Sequence, residues 1–112
     1  MNIQIYALKR NFDVQKAERY FKERKIPFQF VDLGKRPFAL REMEAVRAKV
    51  PLQELVDTQS AAWKESPAAY TIDPNVITET LCQKPALLRT PIVRNGKLAT
   101  AGFRPDVWET WK

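Results

Sequence analysis

The chain has 112 residues, of which 45% are hydrophobic and 29% are charged, and this favours one globular domain over residues 1–112. It contains one cysteine and no histidine, which excludes an internal disulfide, a dithiol active site, a histidine general base and the common Cys/His zinc sites. The formal net charge is +6, but the basic residues are scattered through several segments, which favours a solvated surface over a nucleic-acid interface.

The sequence gives no indication of a membrane, metal or cofactor site. No apolar run approaches the roughly 20 residues that cross a bilayer, and the start of the chain lacks the pattern of a secretory signal. The 13 acidic residues show no paired spacing of the kind used for general acid and base catalysis or for metal binding. We therefore expect a cytoplasmic protein with no metal, no cofactor and no membrane partner.

Residues 2–21 predict a strand that runs into a helix. Apolar residues recur at every second position at the start, as in a strand, and then at every third or fourth position, as in a helix. Asn11 and Asp13 lie between them, and both are good N-cap residues. A helix N-terminus at this turn suits an anion or an activated thiolate, but the turn has no cysteine. The positions that define the two periods are Ile3 and Ile5 for the strand, and Ala17, Tyr20 and Phe21 for the helix.

A second strand is expected after Ile26-Pro27, because the residue before a proline is pushed out of the helical conformation. Phe28, Phe30 and Leu33 alternate with polar residues there. A strand, a helix and a strand within about thirty residues predict a right-handed crossover unit with parallel strands.

The middle of the chain, at about residues 38–83, is predicted to be mostly helical. Asp73-Pro74 is a strong helix start, with a capping aspartate before a proline at the first helical position. Cys82 falls inside that helix, where a cysteine is more often a small core residue than a nucleophile. The expected apolar faces are Leu40, Met43, Val46 and Val50 on one helix, and Val76, Ile77 and Leu81 on the other.

The last part of the chain predicts a hairpin and a short helix. Asn95-Gly96 between two short apolar runs is the most specific hairpin signal in the sequence. Trp108 and Trp111 are expected to pack on the sheet from the final helix.

The predicted order and its marker residues resemble the arsenate reductase family. This thioredoxin-fold group also contains the Spx-type regulators of RNA polymerase and small glutathione-dependent, glutaredoxin-like reductases. The resemblance covers essentially the whole chain, and it implies an α/β fold with a mixed four-stranded sheet and a helical insertion at about residues 38–83. It also implies that Pro91 is cis and lies beside the active site. The segments that carry it are Ile5-Tyr6, Lys16-Ala17, Leu87 to Val93 and Gly102 to Asp106.

The resemblance also shows where the chain departs from the family. It implies that the catalytic cysteine of the family corresponds to Asn11, and the second cysteine of its redox-active members to Val14. An asparagine side chain has no ionisable nucleophile. We therefore expect no catalytic residue and no oxyanion reduction, so that the chain is not expected to be an enzyme of the family's kind.

Two of the three family cations are also replaced. The arginine that usually precedes the proline is Thr90 here, with Arg89 one position earlier, and the arginine of the middle stretch is Gln59. Arg104 alone keeps a cation where the resemblance implies one.

Two functions remain open at this point. The first is a non-redox protein-binding or regulatory module, whose partner could be RNA polymerase by analogy with the Spx-type regulators. The second is weak binding of an anion or glutathione, or a reductase-related activity at a site that the family does not use. The anion site would consist of Lys9, Arg10, the amides after Asn11, and Arg104. The competing interpretation of these residues is an exposed basic turn, a helix cap and a surface charge.

Overall fold

The computed structural model describes residues 2–111, apart from the side chain of Ala68. Four strands form one mixed sheet in the order β2-β1-β3-β4. β1 and β2 are parallel, whereas β1 with β3 and β3 with β4 are antiparallel, which confirms the predicted crossover unit and hairpin. The strands are β1 (Ile3–Ala7), β2 (Phe28–Asp32), β3 (Ile92–Asn95) and β4 (Leu98–Ala101).

Helices occupy the connections and the end of the chain. They are α1 (Phe12–Glu23), α2 (Leu40–Arg47), α3 (Leu52–Leu55), α4 (Ala61–Glu65), α5 (Pro74–Gln83) and α6 (Pro105–Trp108). Short 3₁₀ helices follow α4 and α5, at Pro67–Tyr70 and Pro85–Leu87. α2 to α5 lie between β2 and β3 in the chain, which is where the helical insertion was predicted.

One face of the sheet packs on α1 and α6. Ile3, Ile5 and Val93 from the strands form a buried cluster with aromatic side chains from the two helices. Trp108 Nε1 also donates to Thr100 Oγ1 at 2.8 Å, so the buried indole has a hydrogen-bond acceptor. The predicted packing of the two C-terminal tryptophans is confirmed, since their exposed fractions are 3% and 5%, but Trp111 lies beyond the end of α6 rather than on it.

The opposite face packs on the helical section between β2 and β3. Tyr6 and Ile92 point into this second cluster, and Met43 of α2 and Leu81 of α5 meet them there. Each fully buried side chain of this size contributes roughly 1.5–3 kcal/mol through removal of apolar surface from water. The two clusters place the sheet between α1 with α6 on one side and α2 to α5 on the other.

Two of the expected apolar positions are wrong. Leu40 is the first residue of α2 and is 50% exposed, and Val76 near the start of α5 is 43% exposed. The period of a helix tells which side a residue lies on, but it does not tell how far the packed surface extends along the axis.

The loop of the hairpin lies one residue later in the chain than the Asn95-Gly96 pair predicted. Asn95 is the last residue of β3 and pairs with Leu98, so that Gly96 and Lys97 form the loop. Gly96 has φ +61°, the left-handed region that glycine enters at little cost.

A polar network joins β1 to the start of α2. Tyr6 Oη donates to Glu42 Oε2 at 2.6 Å, and Arg36 holds the same carboxylate with both terminal nitrogens, at 3.0 and 3.1 Å. Arg94 Nη1 donates to Tyr6 Oη at 3.3 Å from the neighbouring strand. The Arg36 hydrogen bonds lower the pKa of Glu42 most strongly, whereas burial raises the pKa of Tyr6. The network attaches the beginning of the helical section to the sheet.

Candidate functional site around Asn11

The turn between β1 and α1 is built around Asn11. This residue has extended backbone angles, and its Oδ1 accepts from the Val14 amide at 2.9 Å, which confirms it as the N-cap of α1. Its carbonyl accepts from the Gln15 amide at 3.0 Å. Asp13, the other predicted cap, lies instead in the first turn of the helix. A cap of this kind is worth about 1 kcal/mol.

The nitrogen of the Asn11 side-chain amide bonds to a residue that is distant in the chain. Asn11 Nδ2 donates to Thr90 Oγ1 at 3.0 Å, joining two residues that are 79 positions apart. The Thr90-Pro91 peptide bond is cis, as the family resemblance implies, and Pro91 is buried. The Pro91 carbonyl accepts from the Gly102 amide at 2.8 Å. Asn11 therefore connects the start of α1 to the segment that leads into β3.

The helical section closes the site from a third direction. The Arg89 amide donates to the Leu55 carbonyl at 2.7 Å, and the Asp57 amide donates to the Leu87 carbonyl at 2.9 Å. Gln59 follows two residues later, and its side chain is exposed to solvent. Within the described residues the Gln59 side chain makes no hydrogen bond, although its backbone amide donates to Asp57 Oδ1 at 3.3 Å.

A cavity of about 520 Å³ brings Arg89 and Arg104 together with Lys49. Asp13 and Glu54 also line it, so that the three cations face two carboxylates. The Arg89 side chain lies over Gly102, 3.7 Å from where a Cβ on that glycine would be. Arg104 Nε is 3.4 Å from Asp106 Oδ1, and this contact lowers the pKa of Asp106. The cavity can attract a small anion, but its cations are partly compensated.

Arg10 lies outside this cavity. Its Nε is 3.1 Å from Glu18 Oε1, and its guanidinium lies 4.0 Å from the centroid of the Phe30 ring. Neither Lys9 nor Arg10 lines the cavity that contains Arg104. The structure thus groups Arg104 with Arg89 and Lys49, rather than with the basic turn that the sequence placed beside it.

The model of the ArsC family matches residues 6–111 of this chain. The chain belongs to the ArsC family. Three solved structures share its fold. An ArsC family related protein from Bacteroides fragilis is 20% identical, with a TM-score of 0.85 over 100% of both chains. An arsenate reductase from Vibrio cholerae is 14% identical, with a TM-score of 0.83 over 96% of this chain and 94% of that one.

An arsenate reductase (ArsC) related protein from Brucella melitensis is 19% identical, with a TM-score of 0.72 over 99% of this chain and 94% of that one. At these identities the likeness shows the fold alone, and it confirms the α/β, thioredoxin-like architecture predicted from the sequence. No curated protein sequence matches this ArsC-family chain.

The single cysteine of this ArsC-family chain is buried in the core. Cys82 lies on α5 in the cluster between the sheet and the helical section, with 9% of its surface exposed. Burial raises the pKa of its thiol, and the negative charges of Glu44 and Glu79 raise it further. A reactive thiolate needs a lowered pKa and access to solvent, so Cys82 has the environment of an inert core residue.

Other kinds of site find no support in the part of the chain that the structure describes. No group of three or more cysteine, histidine, aspartate or glutamate side chains there could hold a metal ion. None of the helices described is both long enough and apolar enough to cross a bilayer.

Sequence reasoning missed the cavity residues Lys49 and Glu54 and the hydrogen bond from Asn11 to Thr90. No periodicity or motif marks the first two. The bond joins two positions that the family resemblance had separately placed at the active site, and that shared assignment was the signal that could have found it.

Proposed function

We propose that this ArsC-family protein has no thiol redox activity and acts as a protein-binding or regulatory module. The observation that carries the proposal is the structural role of the Asn11 side chain. The family resemblance places the catalytic cysteine at this position. Both ends of the Asn11 side-chain amide are engaged in structural hydrogen bonds, to Val14 and to Thr90. An amide in this position supports the architecture of the turn but supplies no nucleophile.

The surface supports a binding role. Phe12, directly after Asn11, is 80% exposed, and Tyr70 and Ile72 near the start of α5 are 84% and 99% exposed. A partner that covered the neighbouring Tyr70 and Ile72 side chains would remove apolar surface from water, which favours association. By analogy with the Spx-type regulators, RNA polymerase is one candidate for that partner.

Affinity capture from cytoplasmic extracts tests the binding role. Immobilised wild-type protein should retain a defined partner in quantitative mass spectrometry, and Tyr70→Ser with Ile72→Ser should reduce its recovery. Leu98→Ser, at a 39% exposed residue of β4, is the matched control and should leave recovery unchanged. Recovery of nothing above background from several extracts would contradict the proposal.

A second candidate is weak binding of an anion or of glutathione in the cavity that contains Lys49, Arg89 and Arg104. The grouping of three cations in about 520 Å³ is the observation that favours it. A charge-assisted hydrogen bond contributes about 1.5–3 kcal/mol, and the nearby carboxylates reduce the attraction, so binding should be weak.

Titration followed by amide NMR tests this second candidate. Phosphate, arsenate or glutathione should shift the signals of Phe12 to Val14 and of Gly102. Arg104→Gln should remove the shifts, while Lys9→Gln, at an exposed residue outside the cavity, should not. Unchanged spectra at millimolar ligand would exclude the site.

A further inference from the structure

β2 forms one open edge of the sheet. It pairs only with β1 in the strand order, and the Leu33 amide donates to the Ala7 carbonyl at 3.0 Å. Successive residues of a strand direct their backbone groups alternately toward and away from the neighbouring strand. Because the Leu33 amide points toward β1, the amides of Phe30 and Asp32 and the carbonyls of Phe28 and Phe30 face away from β1. No hydrogen bond from another described segment reaches these four groups. They form a template for one additional strand.

A groove of about 430 Å³ follows this edge. Arg10, Lys35 and Arg36 line it with Asp32, whose carboxylate already accepts from the Gly34 amide at 2.8 Å. Arg10 is held by Glu18 and by the Phe30 ring, and Arg36 by Glu42, so two of the cations have fixed positions. Lys35 makes no ion pair within the described residues.

Basic charge continues from the groove onto the outer face of α1. Arg10 also lines an adjoining depression with Arg19, Lys22 and Glu18. Counted together, the two depressions present five cations (Arg10, Arg19, Lys22, Lys35 and Arg36) and two carboxylates (Glu18 and Asp32), and Glu42 beside them pairs with Arg36, so the cations still exceed the carboxylates by two. The edge therefore lies in a surface of net positive charge.

We propose that the β2 edge binds an extended acidic segment of a partner protein, which adds to the sheet as a fifth strand. The inference rests on the proposed binding function and names the chemistry of the partner. Backbone groups of β2 would pair with the segment, and alternate acidic side chains would meet Arg10 and Lys35.

The charges also argue against a second copy of this chain as the occupant. Antiparallel pairing of two β2 edges around Phe30 would bring the Arg10 guanidinium that lies over each Phe30 ring close to its counterpart, and like charges across strands are destabilising. Cations along an open edge prevent self-association in many proteins, and the same cations leave the edge available to an acidic strand.

The test uses ¹⁵N-labelled protein and a capped seven-residue peptide that alternates glutamate and valine. The peptide should shift the amide signals of Phe30 and Asp32 and slow their hydrogen exchange, because both amides would donate to it. A peptide with lysine in place of glutamate should leave the spectrum unchanged. The glutamate peptide with N-methyl groups on alternate residues should also fail to bind, because it cannot complete the ladder.

Two charge reversals provide matched variants. Lys35→Glu should weaken peptide binding about five-fold, as expected when an exposed attraction becomes a repulsion. Lys97→Glu makes the same change of net charge in the loop of the β3 and β4 hairpin and should leave the affinity unchanged. Equal binding of the N-methylated peptide, shifts confined to other residues, or a concentration-dependent dimer that buries β2 would each overturn the inference.

Failure of this inference is distinct from failure of the proposed function. If wild-type protein captures a defined partner and Lys35→Glu captures it equally, the binding role stands and the β2 edge is the wrong surface. If neither protein captures a partner and the peptide does not bind, both proposals fail.

Discussion

Asn11 joins the start of α1 to the segment before β3 with one side chain. Its oxygen caps α1 through the Val14 amide, and its nitrogen binds the Thr90 hydroxyl beside the cis proline. A cysteine at this position could supply neither interaction with comparable strength, because its thiol is a weak donor and a weak acceptor. At this residue, a side chain without a nucleophile makes two structural hydrogen bonds.

Asn11→Ala should therefore lower the free energy of unfolding by about 1–2 kcal/mol, since it removes a cap and a second hydrogen bond together. Thr90→Val should cost less, because it removes the second bond alone. Asn75→Ala, in the first turn of α5, is a control with an expected effect within about 0.5 kcal/mol. Urea denaturation measures all three, and equal effects of Asn11→Ala and Asn75→Ala would contradict the assigned contacts.

Asn11→Cys tests whether the turn can still activate a thiol. The helix N-terminus stabilises an anion, so the introduced cysteine should titrate below the ordinary pKa of about 8.5. The measurement is thiolate absorbance against pH in a Cys82→Ser background, which removes the buried thiol. A titration at the ordinary value would show that the end of α1 does not act on this position.

The sequence was sufficient to narrow the cap of α1 to Asn11 or Asp13, because capping depends on residue type and on the helical pattern that follows, but the structure was needed to choose Asn11. It was not sufficient to predict the partners of Arg10. That side chain lies against Phe30 and Glu18, and only the assembled crossover unit brings the three together. Local patterns predict local contacts, whereas the direction of a long charged side chain depends on tertiary neighbours.

The start of α2 is attached to the sheet by charge as well as by packing. Glu42 accepts from Tyr6, Arg36 and the Ala39 amide, and the stacked rings of Tyr6 and Phe38 lie 4.7 Å apart beside it. Nothing in the sequence pairs these residues, because Tyr6 and Glu42 are 36 positions apart. The helix itself was predictable from its period, but the attachment between elements was not.

The stability of this attachment should depend on pH. Because the pKa of Glu42 in the folded protein is lowered, chiefly by Arg36, its carboxylate stabilises the fold above its ordinary pKa of about 4.3. That contribution is lost as the pH falls through the lowered value. Glu42→Gln should thus cost about 1–2 kcal/mol at pH 7 and progressively less below pH 4.

Denaturation of wild type and variant from pH 3 to pH 7 measures this difference. Glu44→Gln, at an exposed residue of the same helix, is the control and should show a small effect at every pH. A cost of Glu42→Gln that stayed constant across this range would contradict the role assigned to the ionised carboxylate.

The whole molecule keeps the ArsC architecture: a mixed sheet between α1 with α6 on one face and α2 to α5 on the other. This level was the most predictable, because the strands and the longer helices have a clear period and the order of elements permits few topologies. The proposed function was less predictable, because it rests on one position, Asn11, rather than on the pattern that the fold shares.

The most direct test of this account is the rate of thiol-dependent reduction by the purified protein. Arsenate and a model disulfide should be reduced no faster than in protein-free controls, by wild type and by Cys82→Ser alike, while an active arsenate reductase in the same assay reports turnover. An appreciable rate that persists in Cys82→Ser would contradict the claim that this fold has lost its redox chemistry.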